Sequence, residues 1–154
     1  MPDTDRIEEV IYYMLDRTIK RTRQVTQVYF QRYGVDVTVD QWLVFKVISE
    51  TDGINQVEVA ARLYKDPASI TRIIDALIQK GLVQKQLDPN DRRRYLLALT
   101  ESGKIKSDEW LALVKKMRRV GIQGFDEQEI SQLKDYLNRI FENVDAIPPL
   151  EDIR

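Results

Sequence analysis

Residues 69–103 read SITRIIDALIQKGLVQKQLDPNDRRRYLLALTESG, and this stretch decides the fold. Ile70, Ile73, Ile74, Leu77 and Ile78 recur at spacings of three and four, the signature of a helix with one buried face. Ala68, Ser69, Arg72 and Asp75 fall on the other face, with Thr71 at its flank. The start of this helix is marked by Asp66 as a cap and Pro67 in the first turn, where a missing N–H costs nothing. Gly81 marks its end. Two runs with strand character follow, 82–87 and 94–99. DPND, residues 88–91, lies between them as a turn signal. Thr100 then caps a further helix reaching about residue 121.

Working outward, the same punctuation recurs. Asn55, with Glu58 three residues on, begins a short helix through Val57, Ala60, Ala61 and Leu63. Thr38 and Gln41 make a capping box for a helix through Trp42, Phe45 and Ile48, stopped by Asp52 and Gly53. A long first helix is expected over residues 5–32, with Ile7, Val10, Ile11, Met14 and Leu15 on one side, ending before Gly34. Asp126 and Glu129 open a last helix through Ile130, Leu133, Leu137, Ile140 and Phe141. The tail from residue 147 holds two prolines and reads as irregular. The expected order is four helices, a hairpin and two helices, a mainly α chain with a small β-hairpin.

Composition narrows the function. The 154 residues contain no cysteine and no histidine. Thiol nucleophiles, disulfides and thiolate zinc sites are therefore excluded, and so is the commonest general base. There is also no glycine-rich phosphate loop and no paired-carboxylate motif, so the chain does not read as an enzyme, and neither a cofactor nor a metal is expected. No apolar run approaches the ~20 residues that span a bilayer. The polar start MPDTDRIEEV does not read as a secretory signal, and a cytoplasmic location is expected.

Charge is distributed unevenly. The whole chain carries −1, yet residues 62–94 hold eight basic and four acidic residues, a net +4, which leaves −5 for the rest. A basic centre in an acidic frame suits a polyanion-binding face. The helix pair over 55–80 has the form of a helix-turn-helix. Ala68 and Ser69 let its second helix approach a groove closely. Arg72 can fork onto a guanine edge, while Ser69 and Thr71 can serve bases or phosphates. Arg92, Arg93 and Arg94 follow the turn as three adjacent guanidiniums at a hairpin tip. They repel one another, so a polyanion is their natural partner, and an arginine on a projecting loop fits a narrow minor groove. A helix-turn-helix followed at once by a basic hairpin describes a winged helix.

The stretch 69–103 also resembles the signature of the MarR family of transcription regulators. The match consists of Thr71–Arg72, Leu77, Lys80–Gly81–Leu82–Val83, Asp88–Pro89, Asp91–Arg92–Arg93, Leu97, Leu99, Thr100 and Gly103. The resemblance implies one domain over 1–154. Within it a winged helix-turn-helix lobe at 38–99 binds double-stranded DNA, and segments 1–34 and 100–154 form a helical dimerisation platform. It implies a homodimeric regulator, by default a repressor, on a pseudo-palindromic operator. Arg93 becomes the minor-groove arginine, and Asp91 orients it by a salt bridge. Many family members are released from DNA by small aromatic or phenolic acids. Tyr12, Tyr13, Arg17, Trp42 and Phe45 are the candidates to line such a crevice, against the alternative that they are packing residues. A winged helix serving only as a protein-interaction or architectural module is the competing function. It would dock through an apolar patch and not through arginines.

Overall fold

The computed structural model describes residues 6–148. The chain forms two compact units, Met1–Met117 and Arg118–Arg154. The first unit opens with a 3-10 turn, Ile7–Glu9, and the helix α1, Ile11–Arg32. The first α-helix therefore begins later than its apolar pattern suggests. Val10 is extended (φ −74°, ψ 120°) and offers no side-chain cap, so the chain turns there instead of continuing the helix. Residue 5, the expected start, lies outside the described residues.

Helices α2, Val39–Glu50, and α3, Gln56–Leu63, both start with the expected capping box. Thr38 Oγ1 accepts from the Gln41 N–H while the Gln41 side chain accepts from the Thr38 N–H, each at 3.1 Å. Asn55 and Glu58 repeat the arrangement at 3.0 and 2.9 Å. Between α2 and α3 lies β1, Ile54–Asn55, which the sequence reading lacks. Two residues are too short to carry an alternation, so only the ladder reveals it.

Helix α4, Pro67–Gln79, is capped by Asp66, whose carboxylate accepts from the Ser69 N–H at 2.8 Å. Gly81 takes the left-handed conformation (φ 71°) that turns the chain into β2, Val83–Asp88. The third strand, β3, is Asp91–Leu99. The sheet order is β1-β3-β2, antiparallel throughout, with Ile54 opposite Leu97 and Val83 opposite Leu99.

The core lies where these elements meet. Phe30, Phe45, Ile54, Ile70, Leu77 and Leu97 are completely or almost completely buried. An aromatic chain runs through it from Phe30 to Trp42, Phe45 and Trp110, with successive ring centroids 6.4, 6.0 and 5.7 Å apart. Trp110 belongs to α5, Glu101–Gly121. The start of α5 is bolted to the end of α4. The Thr100 hydroxyl donates to the Gly81 carbonyl at 2.6 Å and accepts from the Gly103 N–H at 2.9 Å. A Cβ on Gly103 would lie 2.1 Å from the Leu82 carbonyl oxygen. The Lys-Gly-Leu-Val and Leu-Thr-x-x-Gly segments are thus two halves of one joint, which explains their fixed spacing.

The second unit holds α6, Glu127–Asp145, opened by the Asp126–Glu129 capping box. None of its side chains is buried, and Leu133, Leu137, Phe141 and Val144 form an exposed apolar stripe at helical spacing. Of the expected irregular tail, only residues 147 and 148 fall within the described residues.

Candidate nucleic-acid interface

Helix α4 is presented as its pattern requires. Ile70, Ile74 and Leu77 are buried, while Ile73 and Ile78 are half-buried against the core. Ala68, Arg72 and Asp75 are exposed, and Ser69 and Thr71 are partly so. The Asp66 carboxyl is held below the usual carboxylate range, first by the Ser69 hydroxyl and then by the Ser69 backbone N–H. Ser69 Oγ in turn accepts from the Arg72 guanidinium at 3.3 Å. The cap therefore also steadies the arginine one turn further along.

The wing differs from the sequence expectation in one respect. The turn consists of Pro89 and Asn90 alone, and Asp91 already pairs with Asp88. Arg92, Arg93 and Arg94 lie in β3 and not at the tip. Arg93 and Arg94 there share the Asp91 carboxylate. Asp91 relieves their repulsion. Its carboxylate accepts from the Arg93 N–H at 3.0 Å and from Arg93 Nε at 3.2 Å, and it lies 4.0 Å from Arg94 Nε. The Arg93 backbone and side-chain hydrogen bonds hold the Asp91 carboxyl below its ordinary range. The Arg93 side chain remains 90% exposed. A cation held in place by its neighbour yet left in solvent is poised for an anionic partner.

Helix and wing face one another across a cleft of about 390 Å3. Thr71 and Asp75 line it from α4, Arg93 and Arg94 from β3, and Gln56 from α3. Gln56 was not singled out by the sequence, because one glutamine at a helix start carries no pattern. Its amide donates to Thr71 Oγ1 at 2.7 Å. Lys85, on β2, lies over the Tyr95 ring at 5.1 Å and adds a cation to the same cleft.

A second group of charges sits at the N-terminal side of α4. Asp40, at the start of α2, pairs with Arg23 of α1 and with Lys65 at 3.0 Å, just before the Asp66 cap. Burial pushes the Asp40 carboxyl up, but Lys65 and Arg23 outweigh it and leave it below the usual range. At the other end of α4, Lys80 pairs with Asp36 at 3.2 Å. The flanks of α4 are thus tied to the first turn of α2 by Lys65 and to the segment joining α1 and α2 by Lys80.

The aromatic candidates for a ligand crevice are not brought together. Trp42 and Phe45 are core residues, 3% and 0% exposed, which corrects the expectation that they line an open crevice. The packing alternative holds for these two, because their rings, three residues apart on α2, pack within the core of the lobe. Tyr12 is 64% exposed on α1. Tyr13 and Arg17 lie on the same helix, with the guanidinium 5.8 Å from the ring centroid. Among the described residues no group of three acidic side chains could hold a metal ion, and no helix is long and apolar enough to cross a membrane.

Comparison with known proteins agrees with this architecture. Residues 37–95 match the MarR family. The HTH-type transcriptional repressor IacR of Pseudomonas putida is 22% identical over 145 residues, covering 94% of this chain and 86% of that protein. The crystal structure of the transcriptional regulator SlyA superposes with a TM-score of 0.80 at 27% identity, covering 92% of this chain and 94% of that one. CouR from Rhodococcus jostii RHA1, bound to p-coumaroyl-CoA, gives 0.78 at 29% identity, covering 89% and 95%. The matched region spans α2, the helix-turn-helix and most of the wing, so over this lobe the chain is similar to the MarR family.

Proposed function

We propose that the protein is a double-stranded DNA-binding transcription regulator, a repressor, acting as a homodimer on a pseudo-palindromic operator. The observation that carries this reading is the shared cleft. Residues of the recognition helix and the exposed arginines of the wing converge on one surface, as a reader of adjoining grooves requires. In this reading α4 enters the major groove with Ala68 and Ser69 at its approach and Arg72 on a guanine edge. Arg93 enters the flanking minor groove. Arg92 and Arg94, its neighbours on the strand, contact phosphates or solvent. The name of the Pseudomonas relative supports repression. No catalytic role is assigned, and the protein acts in the cytoplasm.

Dimerisation is supported by apolar side chains exposed among the described residues. Ile11, Met14, Leu15 and Ile19 are exposed along the first half of α1, and α6 carries a stripe of its own. A second copy would cover both. A small aromatic acid or its CoA thioester is the proposed effector, by analogy with CouR. Tyr12, Tyr13 and Arg17 are the remaining candidates to meet it.

Selection of bound duplexes from a random pool tests the function. The expected result is an imperfect palindrome with half-sites about 10 bp apart, centre to centre. Arg72→Ala should cost roughly 1–3 kcal/mol and relax one position per half-site. Recovery of no common motif at any salt concentration would favour the protein-interaction module instead.

A further inference from the structure

Arg72 is exposed, and a long, flexible side chain aims nowhere in particular unless something holds it. Among the described residues its guanidinium makes one hydrogen bond, from Nη2 to Ser69 Oγ at 3.3 Å, and no ion pair. Ser69 is itself anchored. Its backbone N–H donates to the Asp66 carboxylate at 2.8 Å. Its hydroxyl also bonds that carboxylate, and must donate, because an ionised carboxylate only accepts. The hydroxyl oxygen is left to meet Arg72 with a lone pair. Asp66, Ser69 and Arg72 are thus linked in sequence, each three residues from the next.

The bond draws the guanidinium towards the start of α4. Ser69 lies three residues nearer the N-terminus, about 4.5 Å along the helix axis. Arg72 accordingly lines a cleft with Thr38, Gln41 and Lys65, and it is not among the side chains lining the cleft shared with the wing. A displacement of that size is comparable to the rise of one base pair, about 3.4 Å. Where the guanidinium is held therefore decides which base pair it meets. We infer that Ser69 is a positioning residue, which holds the Arg72 guanidinium over the first turn of α4 and so fixes the one base pair per half-site that Arg72 reads. This role rests on the proposed DNA-binding function, and it narrows the sequence expectation that Ser69 serves bases or phosphates directly. Asp66 acts twice, capping the helix and occupying the Ser69 proton that would otherwise be offered to a phosphate.

A double-mutant cycle in the full-length chain tests this. Wild type, Ser69→Ala, Ser69→Thr, Arg72→Ala and the double variant are compared by random-duplex selection and by affinity for the selected duplex. Ser69→Ala keeps the backbone N–H that Asp66 caps, so its urea midpoint should move little. It should weaken binding roughly 3- to 10-fold, the effect of one hydrogen bond. It should also spread the preference at the Arg72 position onto the neighbouring base pair. With Arg72 already replaced, Ser69→Ala should cost nothing more. Ser69→Thr keeps the hydroxyl and should keep the position sharp, while its methyl group weakens all duplexes alike. Without DNA, nitrogen relaxation at Arg72 Nε should show a more restricted guanidinium in wild type than in Ser69→Ala. Equal losses from Ser69→Ala in both backgrounds would make Ser69 a direct DNA contact and overturn the inference. So would an unchanged, sharp preference in Ser69→Ala, or equal Arg72 mobility in the two proteins. If Arg72→Ala relaxes no position, Arg72 reads no base and the inference falls with it. If wild type enriches no motif at all, the proposed function fails and takes the reading role with it; a restricted Arg72 would then mark the failure as one of function and not of the Ser69 contact.

Discussion

Helices α4 and α6 have similar sequence patterns and opposite fates. Both have apolar residues at spacings of three and four, and both are capped by an aspartate. Over its 13 residues α4 buries Ile70, Ile74 and Leu77 in the lobe core, whereas over its 19 residues α6 buries none. The first half of α1 resembles α6, since Thr26 and Phe30, its buried residues, both lie near its C-terminal end. The lobe is a structure that one chain completes. The stripes of α1 and α6 are exposed, and in the proposed reading each is a face that a second chain covers. The comparison predicts that substitutions in the two regions fail differently, one by unfolding and the other by dissociation.

The largest expected effect is on association. Leu137→Glu puts a carboxylate in the middle of the α6 stripe. If a second copy covers that stripe, the charge is buried without a partner, and the dimer should weaken by about 3 kcal/mol or more, roughly 100-fold in Kd. The circular dichroism of the monomer should stay helical. Sedimentation showing the same dimer for wild type and Leu137→Glu would remove α6 from the interface.

Next comes the lobe's joint. Gly103→Ala places a Cβ 2.1 Å from a main-chain oxygen, and no flexible side chain is there to yield. Either α5 or the Gly81–Leu82 corner must shift, at a cost near the upper end of overpacking, about 3 kcal/mol. Urea denaturation should register that loss, whereas Gly121→Ala, with nothing within 4 Å of its Cβ, should not. Equal midpoints for the two variants would show that the joint does not hold the lobe.

A third effect belongs to the wing. Arg93→Ala should weaken binding by roughly 2 kcal/mol, the scale of a charge-assisted hydrogen bond, and flatten the preference for A·T flanks. Asp91→Ala should lose less, because it frees the guanidinium without removing it. Neither should move the denaturation midpoint much. Undiminished affinity in Arg93→Ala would make the wing a solvated hairpin.

Local chemistry was legible in the sequence wherever a residue has a strong backbone preference. Thr38, Asn55, Asp66 and Asp126 all cap as read, and Gly81 turns the chain where expected. Long-range pairing was not legible in the same way. Strand β1 exists because Leu96 and Leu97 offer it a ladder, and no pattern two residues long could announce that. The arginines of the wing are in strand because Asp91 pairs across the turn, a register set by two residues some distance from their own preferences. Trp42 and Phe45 illustrate a different gap. Aromatic composition alone does not separate a crevice from a core, and burial against Phe30 and Trp110 decides it. Gln56 was missed because its part depends on a hydroxyl fifteen residues later.

The smallest expected effect concerns Asp40, where the two kinds of region meet. Arg23 brings α1 to this carboxylate, and Lys65 brings the turn that precedes the recognition helix. Its pKa is depressed on folding, so the folded state binds this proton less readily than the unfolded chain does. The resulting stability is fully present above the ordinary carboxylate pKa and is lost as pH falls through the lower folded value. The Asp40 side chain is 40% exposed, so solvent screens the pairs and the gain stays below about 1 kcal/mol. Asp40→Asn should therefore be slightly less stable than wild type at neutral pH. The difference should shrink as pH drops from about 5 to about 3. It should also shrink in high salt, since the partners are only partly shielded from solvent. Other carboxylates titrate over the same range in both proteins, so it is the difference between the two urea midpoints that isolates Asp40. A gap that stays constant from neutral to acid pH would mean that Asp40 holds α1 to the lobe by packing or neutral hydrogen bonding, and that its charge contributes nothing to the link.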